Sequence, residues 1–244
     1  MVFAAGQGTR LRPITDDKPK ALVPVAGRPM IDYALLLLRY YGIREIVINL
    51  HHFGEQIENH LGDGKKFDLE IRYSAEPELL DTGGGLLKAK PFLRDETFIV
   101  INTDALIDLN LAAVIDFHKS HNAAVTLVLR PDVLADQYGS MDIDDGGRIC
   151  RFLDTKGSIQ PAGPMRKVMF TGVQILEPTI FHYMDREQSA KFSTTRQTYP
   201  RMLAAGEALY GYYFDGFWQD LGTPERIRQA EAKLQTGLAK LHFV

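Results

Sequence analysis

Apolar residues in this chain fall into short runs whose spacing alternates between two kinds. MVFAA (1–5), EIVINL (45–50), ETFIVIN (96–102) and AAVTLVLR (123–130) are nearly continuous apolar blocks, most of them rich in β-branched residues and bounded by turn formers. Blocks of that length suit strands covered on both faces, as a parallel sheet requires. Between them the spacing becomes helical. PMIDYALLLLRYYG carries Pro29 near its first turn and Gly42 past its end, and a shorter helix near EQIENHL stops at the turn signal GDG (62–64). LEIRYS (69–74) reads as another strand, and GGLLKAKPFL and LAAVIDFHKSH as further helices. Strands alternating with helices at this spacing predict βαβ units: an α/β fold with a Rossmann-like, mostly parallel sheet flanked by helices, whose ligands lie at the carboxyl ends of the strands.

The rhythm changes from about Tyr138. GSMDID and GRICRFLD flank Asp145-Gly146-Gly147, a hairpin signal, and KVMFTGVQIL follows with no long helix between, so a smaller antiparallel or mixed lobe is predicted here. EPTIFHYM and the segment around TYPRMLAAG read as helices, and LYGYYFDGFW as one last strand. TPERIRQAEAKLQ reads as a closing helix with Thr223 as N-cap, Pro224 at its first position and Glu225 in its first turn.

Composition narrows the classes of function. The 244 residues are 45% hydrophobic, enough for a sizeable core, and no apolar stretch approaches the ~20 residues that span a bilayer. No membrane association and a cytoplasmic location are expected. Cys150 is the single cysteine, which excludes a disulfide framework and a CxxC metal pair and suits a reducing compartment. A net charge of −3 argues against a nucleic-acid partner. Yet Arg10, Arg12, Lys18, Lys20 and Arg28 crowd the first 28 residues against only Asp16 and Asp17. An anion site is therefore expected around Gly6 and Gly8, where a bare backbone lets N–H groups approach phosphate oxygens.

The motif there is G-x-G-T-R. The dinucleotide fingerprint GxGxxG fails because Leu11 stands where its third glycine belongs, and the GxxxxGK[ST] phosphate loop fails too. The longer stretch AAGQGTRLRPITDDKPKALVPVAGRPMIDYAL resembles the N-terminal signature of the sugar-1-phosphate nucleotidyltransferases, also called nucleotide-sugar pyrophosphorylases: a GxGTRLxP loop followed by PKxLxPVxGxPxI. The resemblance implies an Mg²⁺-dependent enzyme that joins a nucleoside triphosphate to a sugar 1-phosphate, releasing pyrophosphate. It gives Arg10 and Lys20 contacts with the triphosphate, and Ala5, Gly6, Gly8 and Thr9 the nucleotide-binding loop.

Later segments extend the resemblance across nearly the whole chain. EPELLDTGGGLLKA (76–89) resembles the family's second glycine-rich turn, which implies that Gly83 and Gly84 rest against nucleobase and ribose, with Glu76 or Glu78 accepting from the base. FIVINTDALIDL resembles the strand end that carries the family's GD pair, here Asn102 and Asp104, and FWQDLGTPE resembles its WxDxGT motif. Asp104 and Asp220 would then be the paired Mg²⁺ ligands. For the sugar phosphate, the resemblance implies Tyr138 and Gly139, the turn holding Asp154 and Lys156, and Thr171-Gly172. The FxEKP-like segment around Lys156 is one residue longer than the family's and lacks its proline.

On this reading 1–244 is a single nucleotidyltransferase domain: a nucleotide-binding part over about 1–130, a sugar-binding part over about 131–222, and a closing helix and tail over 223–244. No appended hexapeptide-repeat β-helix is expected, nor any oligomer built through one, so the chain would be a monomer or small homo-oligomer. The short members acting on N-acetylmuramate 1-phosphate with UTP are the nearest in pattern; GTP with mannose or heptose 1-phosphate is the alternative. A non-catalytic nucleotide-sugar sensor on the same fold is the rival class. His51-His52 lacks a third ligand at useful spacing and reads as ordinary loop histidines, and the aromatic cluster Tyr210–Trp218 as core and interface.

Overall fold

The computed structural model describes residues 1–131, 141–184 and 189–244. In chain order its elements are β1 (Val2–Phe3), β2 (Pro24–Val25), β3 (Arg28–Pro29), α1 (Met30–Tyr40), β4 (Glu45–Leu50), α2 (Gly54–Leu61), β5 (Glu70–Ala75), α3 (Asp81–Ala89), β6 (Phe98–Asn102), β7 (Ala105–Ile107), α4 (Leu111–Ser120), β8 (Val125–Arg130), β9 (Met141–Ile143), β10 (Ile149–Phe152), β11 (Thr155–Lys156), β12 (Arg166–Leu176), α5 (Tyr199–Ala204), β13 (Leu209–Tyr213), β14 (Trp218–Asp220) and α6 (Pro224–Gln235). They form two compact units. Met1–Leu79, Ile101–Leu109 and Gly216–Val244 make the first; Leu80–Val100 and Asn110–Asp215 make the second.

The first unit is the expected parallel sheet. β1 lies between β4 and β6, and β5 extends the sheet beyond β4, every pair parallel. Counting only these four strands, the order is third, second, first, fourth, with the crossover reversing at β1 and β6. Ligands of doubly wound sheets bind at that reversal, outside the carboxyl ends of the two strands. In β4 every residue after Glu45 is buried, as its unbroken apolar run requires. Helix α1 exists because its leucines recur on every side: Met30, Ile31, Leu35, Leu37 and Leu38 are almost wholly buried. Helix α2 buries only Ile57 and Leu61, four residues apart on one face. Two small antiparallel pairs complete the unit, the hairpin of β2 with β3 and the long-range pair of β7 with β14.

Among the described residues of the second unit, strands run in the order β11, β10, β9, β12, β8, β13, antiparallel except for the β13–β8 pair. The Asp145–Gly147 turn joins β9 to β10 as its residues predict. The core here gathers Val125, Leu127, Leu129, Phe152, Val168 and Tyr199. Burial pushes the Tyr199 phenol up, and its hydroxyl donates to Gln174 Oε1 at 2.5 Å.

Three expected elements differ. LYGYYFDGFW is not one strand, because the chain turns at Asp215-Gly216: β13 pairs with β8 in one unit, and β14 pairs with β7 in the other. EPTIFHYM forms a 3₁₀ turn, Pro178–Tyr183, rather than an α-helix. TYPRMLAAG begins in a π-helical turn, Thr194–Thr198, before α5. Strand β7, three residues inside INTDALIDL, has no sequence signal of its own; it exists because β14 pairs with it.

Candidate active site

The charged residues that the sequence singles out in the first unit collect where β1 and β6 end. The chain leaves β1 through buried Ala4 and Ala5 into exposed Gly6 and Gln7, then turns at Gly8 into a 3₁₀ turn, Thr9–Leu11. Leu11 is wholly buried, so the residue that breaks the dinucleotide fingerprint is the apolar anchor of this turn. Gly8 adopts φ +65°, and a Cβ there would lie 2.9 Å from Thr15 Cγ2 and 3.0 Å from Lys20 Cβ. Thr15 Oγ1 donates to the Gly8 carbonyl at 2.8 Å. The bare Gly8 Cα is thus what lets the Lys20 stem pass beneath the loop.

Lys20 runs from there to Asp104, its Nζ 2.6 Å from Oδ2. Asp104 follows β6, fixed by Thr103 Oγ1 donating to the Phe3 carbonyl at 3.0 Å. Asn102, half-buried, pairs with Phe3 at the same level. The β7–β14 pairing sets Asp220 opposite Ala105, and Leu221 N donates to the Asp104 carbonyl at 2.8 Å. Two carboxylates that lie 116 positions apart by their residue numbers thereby become backbone neighbours.

Asp220 is held on both oxygens: Gly222 N donates to Oδ1 at 2.7 Å, and the Arg226 guanidinium donates to Oδ2. A Cβ on Gly222 would lie 2.7 Å from Arg10 Nη2 and 2.9 Å from Asp220 Oδ1, so the glycine of the GT pair makes room for the exposed Arg10. The structure thus brings Arg10, Lys20, Asp104 and Asp220 together. Sequence reasoning missed Arg226, although the residue sits directly after the motif that located Asp220.

The donor set suits a hard, oxygen-preferring dication, with two carboxylates and no thiolate or imidazole. Asp104 Oδ1 accepts from no group among the described residues, and no group of three or more His, Cys, Asp or Glu capable of holding a metal occurs among them. Mg²⁺ commonly takes one or two carboxylates and completes its shell with water and substrate phosphates, which fits this pair.

Behind the loop lies a support that the sequence did not disclose. Ala4 N donates to Asn49 Oδ1 at 2.8 Å, and Asn49 Nδ2 donates to Glu76 Oε1 at 2.8 Å; both polar side chains are buried. Glu76, the residue expected to meet the base, is linked through Asn49 to the ends of β4 and β1. His51 Nδ1 shares a hydrogen bond with the Glu76 carbonyl at 2.9 Å, in keeping with an ordinary loop histidine. Asn49→Ala should cost about 1–3 kcal/mol in a denaturant titration, because it strands the buried Ala4 N–H and a carboxylate oxygen together. A loss below a few tenths of a kcal/mol would contradict this role.

In the second unit Gly83 and Gly84 are closely packed. Both are buried within the first turn of α3, and their N–H groups donate to the Phe192 carbonyl at 2.8 and 3.2 Å. A Cβ would lie 2.3 Å from the Phe192 ring at Gly83, and 2.1 Å from the Ala190 carbonyl at Gly84. Gly83→Ala is expected to destabilise by about 1–3 kcal/mol through overpacking, read from thermal or denaturant unfolding. Unchanged stability with weakened nucleotide binding would support the base-contact role instead.

The sugar-side expectations divide. Thr171 is buried and donates to the Val128 carbonyl at 2.8 Å, inside the sheet. Gly172, at φ +96°, serves the irregularity where β12 shifts register against β8. Asp154 is exposed on the tight turn between β10 and β11, and Lys156 is exposed on β11 itself, where its backbone pairs with Arg151. Tyr138 and Gly139 lie outside the described residues. Cys150 is buried, and desolvation pushes its thiol up, away from thiolate chemistry.

Fold and site together define a Rossmann-like α/β protein with clustered cations and paired carboxylates at its topological switch point. Residues 1–237 match the nucleotidyl transferase family (NTP_transferase), and the chain belongs to it. It is 33% identical over 235 residues to a UTP–glucose-1-phosphate uridylyltransferase of Synechocystis, covering 91% of this chain and 59% of that one. It is 33% identical over 241 residues to a mannose-1-phosphate guanylyltransferase of Mycobacterium tuberculosis, covering 98% and 65%. With an N-acetylmuramate α-1-phosphate uridylyltransferase of Neisseria meningitidis it shares 34% identity over 238 residues, covering 95% and 96%. The chain therefore spans about three-fifths of the length of the first two relatives and nearly all of the third.

Proposed function

We propose that this chain transfers a nucleotidyl group from a nucleoside triphosphate to a sugar 1-phosphate, releasing pyrophosphate, with UTP and N-acetylmuramate 1-phosphate as the pair. The carrying observation is the meeting of Lys20, Asp104 and Asp220 beneath the Gly6–Gly8 loop. A phosphate oxygen of the sugar phosphate attacks the α-phosphorus, and the bond from that phosphorus to the bridging oxygen of pyrophosphate breaks. The nucleophile is already an anion, so the protein has little proton transfer to do; position and charge carry the rate. The open backbone from Ala5 to Thr9 receives the triphosphate. Arg10 supplies a bidentate fork to it and Lys20 a point charge for the departing oxygens. Asp104 and Asp220 would hold Mg²⁺, which supplies charge neutralisation between the two phosphates. Asn102 borders the nucleotide; Lys156, with Asp154 beside it, steers the sugar phosphate.

The choice of sugar is supported by the Neisseria relative, 34% identical over 95% of this chain. GTP with mannose 1-phosphate is the second reading, supported by the M. tuberculosis relative. Retention of all four charged groups weighs against a non-catalytic sensor. A cytoplasmic location goes with this reading, supported by the single buried cysteine; among the described residues no helix is long and apolar enough to cross a membrane. The test is pyrophosphate release with Mg²⁺ across UTP, GTP, CTP, dTTP and ATP, each against N-acetylmuramate, N-acetylglucosamine, glucose, mannose and heptose 1-phosphates. A strong preference for UTP with N-acetylmuramate 1-phosphate is expected. Another preferred pair would overturn the choice of substrates; nucleotide binding with silence across the grid would overturn the reaction.

A further inference from the structure

The charges around the paired carboxylates do not balance. Asp104 carries Lys20, while Asp220 carries Arg226 on Oδ2 and stands beside Arg10 across Gly222. Three cations thus surround two carboxylates, and the Asp220–Arg226 pair is largely shielded, its side chains 13% and 27% exposed. Arg226 is not placed there by chance rotation of a surface side chain. Its backbone N donates to the Thr223 Oγ1 cap at 3.3 Å, fixing it in the first turn of α6, where side chains lean back toward the helix start and hence toward β14. A dication approaching Asp220 meets a guanidinium on the oxygen it needs.

We propose that Arg226 is a positioning residue that sets the metal affinity of Asp220, by competing with a divalent cation for Oδ2. The inference rests on the assignment of Asp104 and Asp220 as metal ligands. A polyphosphate resolves the competition: it offers the guanidinium oxygens that a planar fork binds well, so Arg226 can leave Oδ2 as the cation takes it. The cation is therefore accepted together with a nucleotide far better than alone, and Arg226 is the residue that enforces the order.

Mn²⁺ binding to the full chain, read by the loss of the free-ion electron paramagnetic resonance signal, tests this without requiring turnover. In the absence of nucleotide, Arg226→Gln should bind Mn²⁺ about 5–10-fold more tightly than the unaltered protein, a change of roughly 1–1.4 kcal/mol. Arg226→Lys, which keeps the charge, should stay within about 2-fold of the unaltered affinity, since only the charge opposes the cation. Added UTP should tighten Mn²⁺ binding strongly in the unaltered protein and much less in Arg226→Gln, because the competition it relieves is gone. Adding Asp220→Asn to Arg226→Gln should abolish the gain. Equal Mn²⁺ affinity in Arg226→Gln and the unaltered protein would overturn the proposal, as would a gain that survives Asp220→Asn. Failure of the substrate grid would reject the proposed reaction and leave these binding results to be judged separately.

Discussion

Asp104→Asn should lower the rate of pyrophosphate release by about 10²–10³-fold, the usual cost of removing one preorganised charge-stabilising group. The substitution keeps the shape and the backbone contacts, including the Leu221 N–H on the Asp104 carbonyl, and removes only the negative charge that Lys20 meets at 2.6 Å. Stability should change by less than about 1 kcal/mol, because Asp104 is one-third exposed and water can take over the Lys20 ammonium. Steady-state pyrophosphate release and thermal melting, run on the same preparation, check both halves. Turnover near that of the unaltered protein would remove Asp104 from the chemistry.

Lys20→Gln should reduce kcat/KM for the nucleotide by about 10²-fold, since the side chain left behind can donate a hydrogen bond but cannot offset charge on departing pyrophosphate. Lys20→Arg should not restore the rate. The Lys20 stem already lies where a Cβ on Gly8 would reach it at 3.0 Å, and a planar fork needs more room than an ammonium. Full activity in the arginine variant would mean that charge alone matters at this position. Equal activity in the glutamine variant would mean that Lys20 is only a structural partner of Asp104.

The elements legible in the sequence were those whose signal is local. EIVINL announced β4 residue for residue, and TPERIRQAEAKLQ announced α6 with its threonine cap, because apolar periodicity and capping act over a few neighbours. Asp104 and Asp220 could be found because each sits in a recognisable segment, although only the β7–β14 pairing explains how they meet. What stayed hidden depended on distant partners. Nothing around Gly83 and Gly84 tells that Ala190 and Phe192 pack against them. Glu76 shows the same limit: whether a carboxylate faces a ligand or anchors Asn49 is decided 27 residues away. Thr171 is hidden for a related cause, since a hydroxyl beside a glycine in a strand can face solvent or bond a neighbouring strand, and here it donates to Val128 of β8.

Nucleotidyl transfer is tested most directly by following both products at once. Purified protein, Mg²⁺, UTP and N-acetylmuramate 1-phosphate should yield a UDP-sugar and pyrophosphate in equal amounts, resolved by phosphorus NMR and confirmed by mass. Equal appearance of the two, lost in Asp104→Asn, is the expected result. UTP consumed without a UDP-sugar, or no consumption with any sugar 1-phosphate while the nucleotide binds, would contradict transfer as the function of this site.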